Sequence, residues 1–234
     1  MTVTSMVDTL IIRLGSVSEK PLSRANILSY LNTAQLMFLT LINRNLLGVL
    51  DQTDSALSLT DNGSIIPSSY DITALTKTPY GGPGGIDSVR INNGGNYIYR
   101  ISFDEYQDHI NGRATSATGY VYYVKGNKFY FVGYDGKIDI DYMRKPDTLV
   151  ESGASSGETE TCEMNEVYHE IIMDMAEAEG WRTLWENTKE QEASTRATSW
   201  IAHYNAQFLP TESRNSYQYN APDIGFTSNT AFKP

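Results

Sequence analysis

The stretch SRANILSYLNTAQLMFLTLINRNLLGVL, residues 23–50, decides the fold. Ile27, Leu31, Ala34, Phe38, Leu41 and Ile42 recur at helical spacing, and Leu28, Gln35, Leu39 and Leu46 widen the stripe. A stripe this wide belongs to a helix buried on more than one face, so it requires partner helices. Ser23, three residues before Asn26, stands where a helix cap is expected. Pro21 suits the approach, where a missing N–H costs little. The same spacing predicts helix as far as Leu50.

Working outward, residues 4–14 (TSMVDTLIIRL) read as a short amphipathic helix ended by Gly15. Beyond Leu50 the period changes. Ser58-Leu59-Thr60 leads through the turn signal Asp61-Asn62-Gly63 to Ile65-Ile66-Pro67. Ile86 to Ile91, Tyr97 to Ile101, Tyr120 to Val124, Lys128 to Val132 and Lys137 to Met143 read as strands. In the last of these, Ile138, Ile140 and Met143 oppose Asp139 and Asp141. Lys125-Gly126-Asn127 and Tyr134-Asp135-Gly136 read as tight hairpins. Ser102-Phe103-Asp104-Glu105-Tyr106 has the form of a capping box opening one or two helical turns. Gly81 to Gly85 and Glu151 to Gly157 read as flexible punctuation. A long helical stretch then runs from Met164 to Phe208, with Val167, Ile171, Met175, Ala178 and then Leu184 or Trp185 in phase. Gly180 marks a kink or a junction, helix resumes through Trp200, Ile201 and Tyr204, and Pro210 ends it.

The expected fold class is α+β. Residues 1–50 and 160–209 form a helical bundle, residues 51–150 an inserted antiparallel β module, and residues 210–234 an extended C-terminal arm. That arm is polar, carries Tyr217, Tyr219, Phe226 and Phe232, and cannot build a core of its own, which suggests that it orders against a partner surface.

Composition narrows the function. The 234 residues carry a net charge of −10 with one cysteine and three histidines. A single cysteine excludes an internal disulfide framework and a multi-cysteine zinc site. The acidic balance argues against a protein that coats DNA. No window approaches the ~20 apolar residues of a membrane span, and the first fifteen residues, with Asp8 and only Arg13 as a base, do not read as a signal peptide. Residues 151–209 hold twelve acids and three bases. They read as a solvated helix face, or as a surface that repels a passing polyanion, with Glu177, Glu179 and Glu186 the candidates.

Chemical motifs are incomplete. In His169-Glu170-Ile171-Ile172-Met173 the second zinc-ligating histidine is replaced by Met173. Cys162 precedes His169 by seven residues, with nothing to orient a nucleophile pair. The glycines at 81–85 lack the Lys and Ser/Thr of a phosphate loop, and Asp139 and Asp141 read as alternating solvent-facing acids. Sixteen tyrosines are many for this length. Those at 97, 99, 120, 122, 123, 130, 134 and 142 fall on strands, as ordinary strand residues, a protein interface or a sugar-stacking platform. No catalytic group and no cofactor is indicated.

The arrangement resembles the tailed-phage head-to-tail adaptor family, its nearest named type being the tail tubular protein A-like connector of short-tailed phages. The resemblance covers roughly residues 23–180. It rests on Ile27 to Gln35, which looks like the family's aligned asparagine and alanine start, on Ile66-Pro67-Ser68-Ser69-Tyr70, and on Ser102 to Tyr106. It continues through Tyr120 to Tyr123 with the hairpin to Phe131, Ile140 to Pro146, and Tyr168 to Ile172. The resemblance implies a structural virion protein of the neck or tail, assembled in the host cytoplasm. It implies a homo-oligomeric, twelve-fold ring beneath the portal protein, touching a neighbouring tail or second adaptor ring and leaving a conduit through which DNA passes without sequence-specific binding. It also implies that C-terminal segments grip the portal. The alternatives are a carbohydrate- or receptor-binding virion module built on the tyrosine-rich strands, and a hydrolase whose carboxylates are dispersed in sequence.

Overall fold

The computed structural model describes residues 1–15, 22–61, 67–93, 95–111 and 120–207. Pro21, the Asn62-Gly63 turn, Ile65-Ile66 and the arm of residues 210–234 lie outside the described residues.

Helix α1 (Val3–Gly15) buries Val3, Met6, Val7, Leu10 and Leu14, one face of a 3.6-residue period. Helix α2 (Arg24–Leu41) starts as expected, since the Ser23 hydroxyl accepts the Asn26 amide at 3.2 Å. It ends nine residues before Leu50. Ile42 turns to extended backbone, and the Asn43 side chain accepts the Asn45 amide at 3.0 Å, an Asx turn that competes with helical bonding. Leu47 and Leu50 still reach the core on two 3₁₀ turns, Arg44–Leu46 and Gly48–Leu50.

The long C-terminal helix divides into α4 and α5, which follow the short α3 (Phe103–Ile110). Helix α4 (His169–Thr183) packs against α1, α2 and α5 (Asn187–Ala206). The break lies at Leu184–Glu186, where Trp185 takes φ 62°, and not at Gly180. Gly180 sits inside α4, where a Cβ would lie 2.7 Å from the Leu14 side chain. Its role is close helix packing. Ala193, Ala197 and Ile201 repeat every four residues on the buried face of α5.

Among the described residues, nine strands lie between α2 and α4. The first sheet is antiparallel, ordered β1 (Asp51–Ser58), β7 (Lys137–Met143), β3 (Ile86–Ile91). Its centre is β7, whose Ile138, Ile140 and Tyr142 are fully buried. The second sheet is ordered β2 (Ser68–Asp71), β6 (Lys128–Val132), β5 (Val121–Lys125), β4 (Tyr99–Arg100). The β5–β6 hairpin closes as expected on Gly126, at φ 60°. The Tyr134-Asp135-Gly136 turn does not make a hairpin. It carries the chain from the second sheet to the first, because β6 pairs with β2 and β5 while β7 pairs with β1 and β3. The module is mainly antiparallel, with two exceptions. Strands β4 and β5 are parallel, with α3 between them in sequence, and β8 (Thr148–Leu149) pairs parallel with β9 (Glu158–Thr159). The capping box at α3 forms in both directions: the Ser102 amide donates to Glu105 Oε2 at 2.7 Å and the Glu105 amide to Ser102 Oγ at 3.2 Å.

Two apolar cores result. One gathers α1, α2, α4 and α5 around Leu31, Phe38 and Ile172; the other joins the sheets around Phe129, Phe131, Ile140 and Tyr142. Gly81–Gly85 is ordered into a 3₁₀ turn over Gly82–Gly85. A Cβ on Gly85 would lie 1.8 Å from the Tyr80 carbonyl oxygen, so the turn requires glycine there.

Candidate functional site

The polar residues inside the α2 stripe build the joint between that helix and the segment 147–149 that follows β7. Asn32 Nδ2 donates to the Leu149 carbonyl at 3.1 Å while Asn32 Oδ1 accepts the Leu149 amide at 2.8 Å, so one side chain satisfies both backbone groups of Leu149. One turn on, Gln35 Nε2 donates to the Asp147 carbonyl at 3.1 Å. The same segment is tied laterally: Arg144 makes a two-pronged bond to Glu163 at 2.8 and 2.9 Å, and the Asp147 amide donates to Glu163 Oε2 at 2.9 Å. Burial pushes the Glu163 carboxyl up, but Arg144 and the Asp147 amide outweigh it and hold it below the usual range. Lys77 pairs with Asp147 at 2.7 Å.

The acidic segment is largely occupied in ion pairs. Glu177, expected at the surface, is 8% exposed and accepts from Trp181 Nε1 at 3.1 Å. Arg196 reaches Glu177 at 2.8 Å and Asp174 at 3.1 Å; Arg13 of α1 reaches Asp174 at 3.3 Å, Glu177 at 3.4 Å, and Glu170. Burial pushes the Asp174 carboxyl up against the pull of these two guanidinium groups. Part of the charge excess of residues 151–209 therefore meets arginines from outside that segment, Arg13 on α1 and, through Glu151, Arg24 on α2. Glu179 pairs with Arg182 at 2.8 Å. Glu186, in the α4–α5 junction, is exposed and without an ion pair among the described residues.

Catalytic and metal-binding arrangements find no such support. His169 is buried, its Nε2 2.9 Å from the Met164 carbonyl and its Nδ1 3.3 Å from the Met1 amino group, and burial lowers its pKa. Cys162 is buried with its Sγ 3.8 Å from Gln35 Oε1, and burial raises its thiol pKa, the opposite of an activated nucleophile. Asp139 and Asp141 cross-link strands. Asp139 accepts from the Ala56 amide at 2.9 Å and Asn92 at 2.7 Å, and Asp141 accepts from Thr53 and Arg90, both at 2.7 Å. Among the described residues no group of three or more His, Cys, Asp or Glu is placed to hold a metal ion. No described helix is long and apolar enough to cross a membrane.

The tyrosines divide between two faces of the second sheet. Tyr122 is 6% exposed and packs inward on Phe129 and Phe131, with centroids 5.0 and 5.7 Å away. Tyr123 and Tyr130 stack on the outer face at 4.9 Å, and Tyr106 of α3 covers Tyr123 at 4.0 Å. A sugar platform using both Tyr122 and Tyr130 is therefore not available, because they project from opposite faces.

Large apolar side chains remain at the surface away from both cores. Trp185 is 88% exposed, Ile12 75%, and Tyr97, Tyr99, Val49, Phe103 and Trp200 at least half. Tyr217, Tyr219, Phe226 and Phe232 lie outside the described residues. Reading the sequence missed Asn32 and Gln35 as joint residues, although two amides within an otherwise apolar stripe were the available signal. It also missed the Arg13–Arg196 clamp, whose members are 183 positions apart.

Compared with known proteins, the family model described as SU10 adaptor protein matches residues 1–224. No curated protein matches the chain.

Proposed function

We propose a ring-forming connector role for this chain, which belongs to the SU10 adaptor protein family. As a phage adaptor it is a virion component with a structural head–tail role, associated with other head–tail proteins. In the proposed role, copies close into a ring, twelve-fold as the family resemblance implies, beneath the portal. The ring joins capsid to tail and leaves a conduit for DNA. The helical part, residues 1–50 and 160–209, forms the ring, and the β module of residues 51–150 faces outward or a neighbouring ring. The arm of residues 210–234, with Tyr217, Tyr219, Phe226 and Phe232, contacts the portal or a neighbouring subunit.

The observation that carries this reading is the family match across residues 1–224 of 234. The exposed Trp185, Ile12 and Trp200 support it, since large apolar residues away from a core are what permanent subunit interfaces cover. Glu186 is the surface candidate for an acidic conduit wall; Glu177 serves the fold of the protomer and Glu179 is already paired. Gold-labelled antibodies against this protein should mark the vertex between head and tail in partly disassembled virions. Labelling confined to fibre tips would instead indicate receptor binding.

A further inference from the structure

Two apolar grooves flank the outer face of α2 and share Met37. The larger, about 510 Å³, lies between α2 at Leu36, Met37 and Thr40 and the turn at Pro79–Gly81. The smaller, about 110 Å³, lies where Leu41 of α2 meets α4 and α5. Met37 and Leu41 are 41% and 45% exposed beside the buried Phe38 and Leu39 of the same helix.

Helix α5 ends against one end of these grooves. Asn205 Nδ2 donates to the Leu41 carbonyl at 2.8 Å, and Asn205 Oδ1 accepts the Asn43 amide at 2.7 Å. Met37 lies one turn before Leu41, about 6 Å along the axis. The described structure stops at Gln207, two residues past Asn205, and residues 208–234 follow. The described chain thus ends two residues past a contact with Leu41, which lines the smaller groove.

We propose that residues 208–234 of the same chain dock on these α2 grooves in the free protomer. Reach is sufficient: Tyr217 is ten residues past Gln207, up to about 33 Å of extended chain, against about 10 Å from Thr33 to Thr40 along the helix. The chemistry matches, because a methionine-lined groove adapts to aromatic side chains and the arm supplies Phe208, Tyr217 and Tyr219. Lys145 on the groove rim is exposed, makes no ion pair among the described residues, and offers a cation to the arm's Glu212 or Asp223. Tethering favours this occupant over a second copy. Covalent attachment over a short stretch of chain gives an effective concentration on the order of millimolar, so even a weak contact is populated. The contact in the protomer does not depend on the ring reading.

The test uses the full chain without portal. A photo-reactive benzoylphenylalanine replaces Tyr219, and ¹⁵N-labelled and unlabelled protein are refolded together, irradiated and digested for mass spectrometry. Cross-links should join residue 219 to α2 or to Pro79–Gly81, within light chains or within heavy chains only. Met37→Asp and Lys145→Glu, both exposed positions, should lower the yield at least five-fold with an unchanged melting temperature. Light–heavy cross-links, cross-links elsewhere, no cross-links, or a yield indifferent to both substitutions would each overturn the proposal.

Discussion

Leu14 and Gly180 meet where α1 crosses α4, with room for a hydrogen but not for a methyl group. Gly180→Ala gains helix propensity yet overpacks this contact, so it should destabilise by about 1–3 kcal/mol in urea unfolding. Pairing it with Leu14→Ala should give a combined loss smaller than the sum of the two, because the cavity accepts the methyl. Asn32 has a different importance. Asn32→Ala strands both backbone groups of Leu149 and should cost about 2 kcal/mol or more, an effect absent at the exposed Thr33. Glu163 sets a pH dependence. Its folded-state pKa lies below that of an unperturbed glutamate, so its stabilisation is present above the unfolded value and is lost as pH falls through the depressed one. Asp174 runs the other way: its pKa is raised, so its contribution is favourable at low pH and is lost as pH rises through the folded value. Glu163→Gln should be less stable than the wild type at pH 7, with the gap closing below pH 4.5. A gap constant down to pH 3 would contradict the Arg144 pairing.

Among elements, those with a strong period were legible. The α1 face, the start of α2, and strands β3, β6 and β7 follow the pattern of apolar residues, and the capping box at Ser102 formed as its spacing required. What failed did so where a local or tertiary bond overrode the pattern. The apolar run to Leu50 continues past the helix end because Asn43 turns the chain while Leu47 and Leu50 still find the core. Strand β1 was unreadable, since only Asp54 of its eight residues is buried and Ala56, at φ 56°, bulges toward Asp139. Gly180 looked like a break because glycine is a poor helix former, whereas packing against Leu14 requires it and Trp185 takes the turn. The buried acids of α4 were misread as surface because charge patterning along one helix cannot reveal arginines arriving from two others. Arg196→Met should therefore destabilise by about 2–3 kcal/mol, below the ~3–5 of a fully buried pair because the Arg196 side chain is 46% exposed. Adding Glu177→Gln should recover part of that loss in the same unfolding assay.

At the scale of the whole molecule, the helical core and the sheet core adjoin along β7, whose Tyr142 belongs to the sheet core and Met143 to the helical core, and Lys77 bonds both the Tyr142 hydroxyl and Asp147 there. The twelve acids of residues 151–209 belong less to a conduit than the linear sequence suggests, because Glu151, Glu163, Glu170, Asp174 and Glu177 pair with arginines from outside that segment. The conduit reading then rests on surface acids such as Glu186, and Glu186→Gln should leave protomer stability within about 0.5 kcal/mol of wild type, as surface substitutions do. The central claim is assembly on a portal, and native mass spectrometry of the purified protein, alone and mixed with the portal of the same virus, tests it most directly. The account predicts a discrete complex carrying one full ring of this chain per portal. A chain whose mass is unchanged by the portal, at concentrations where both are folded, would contradict it.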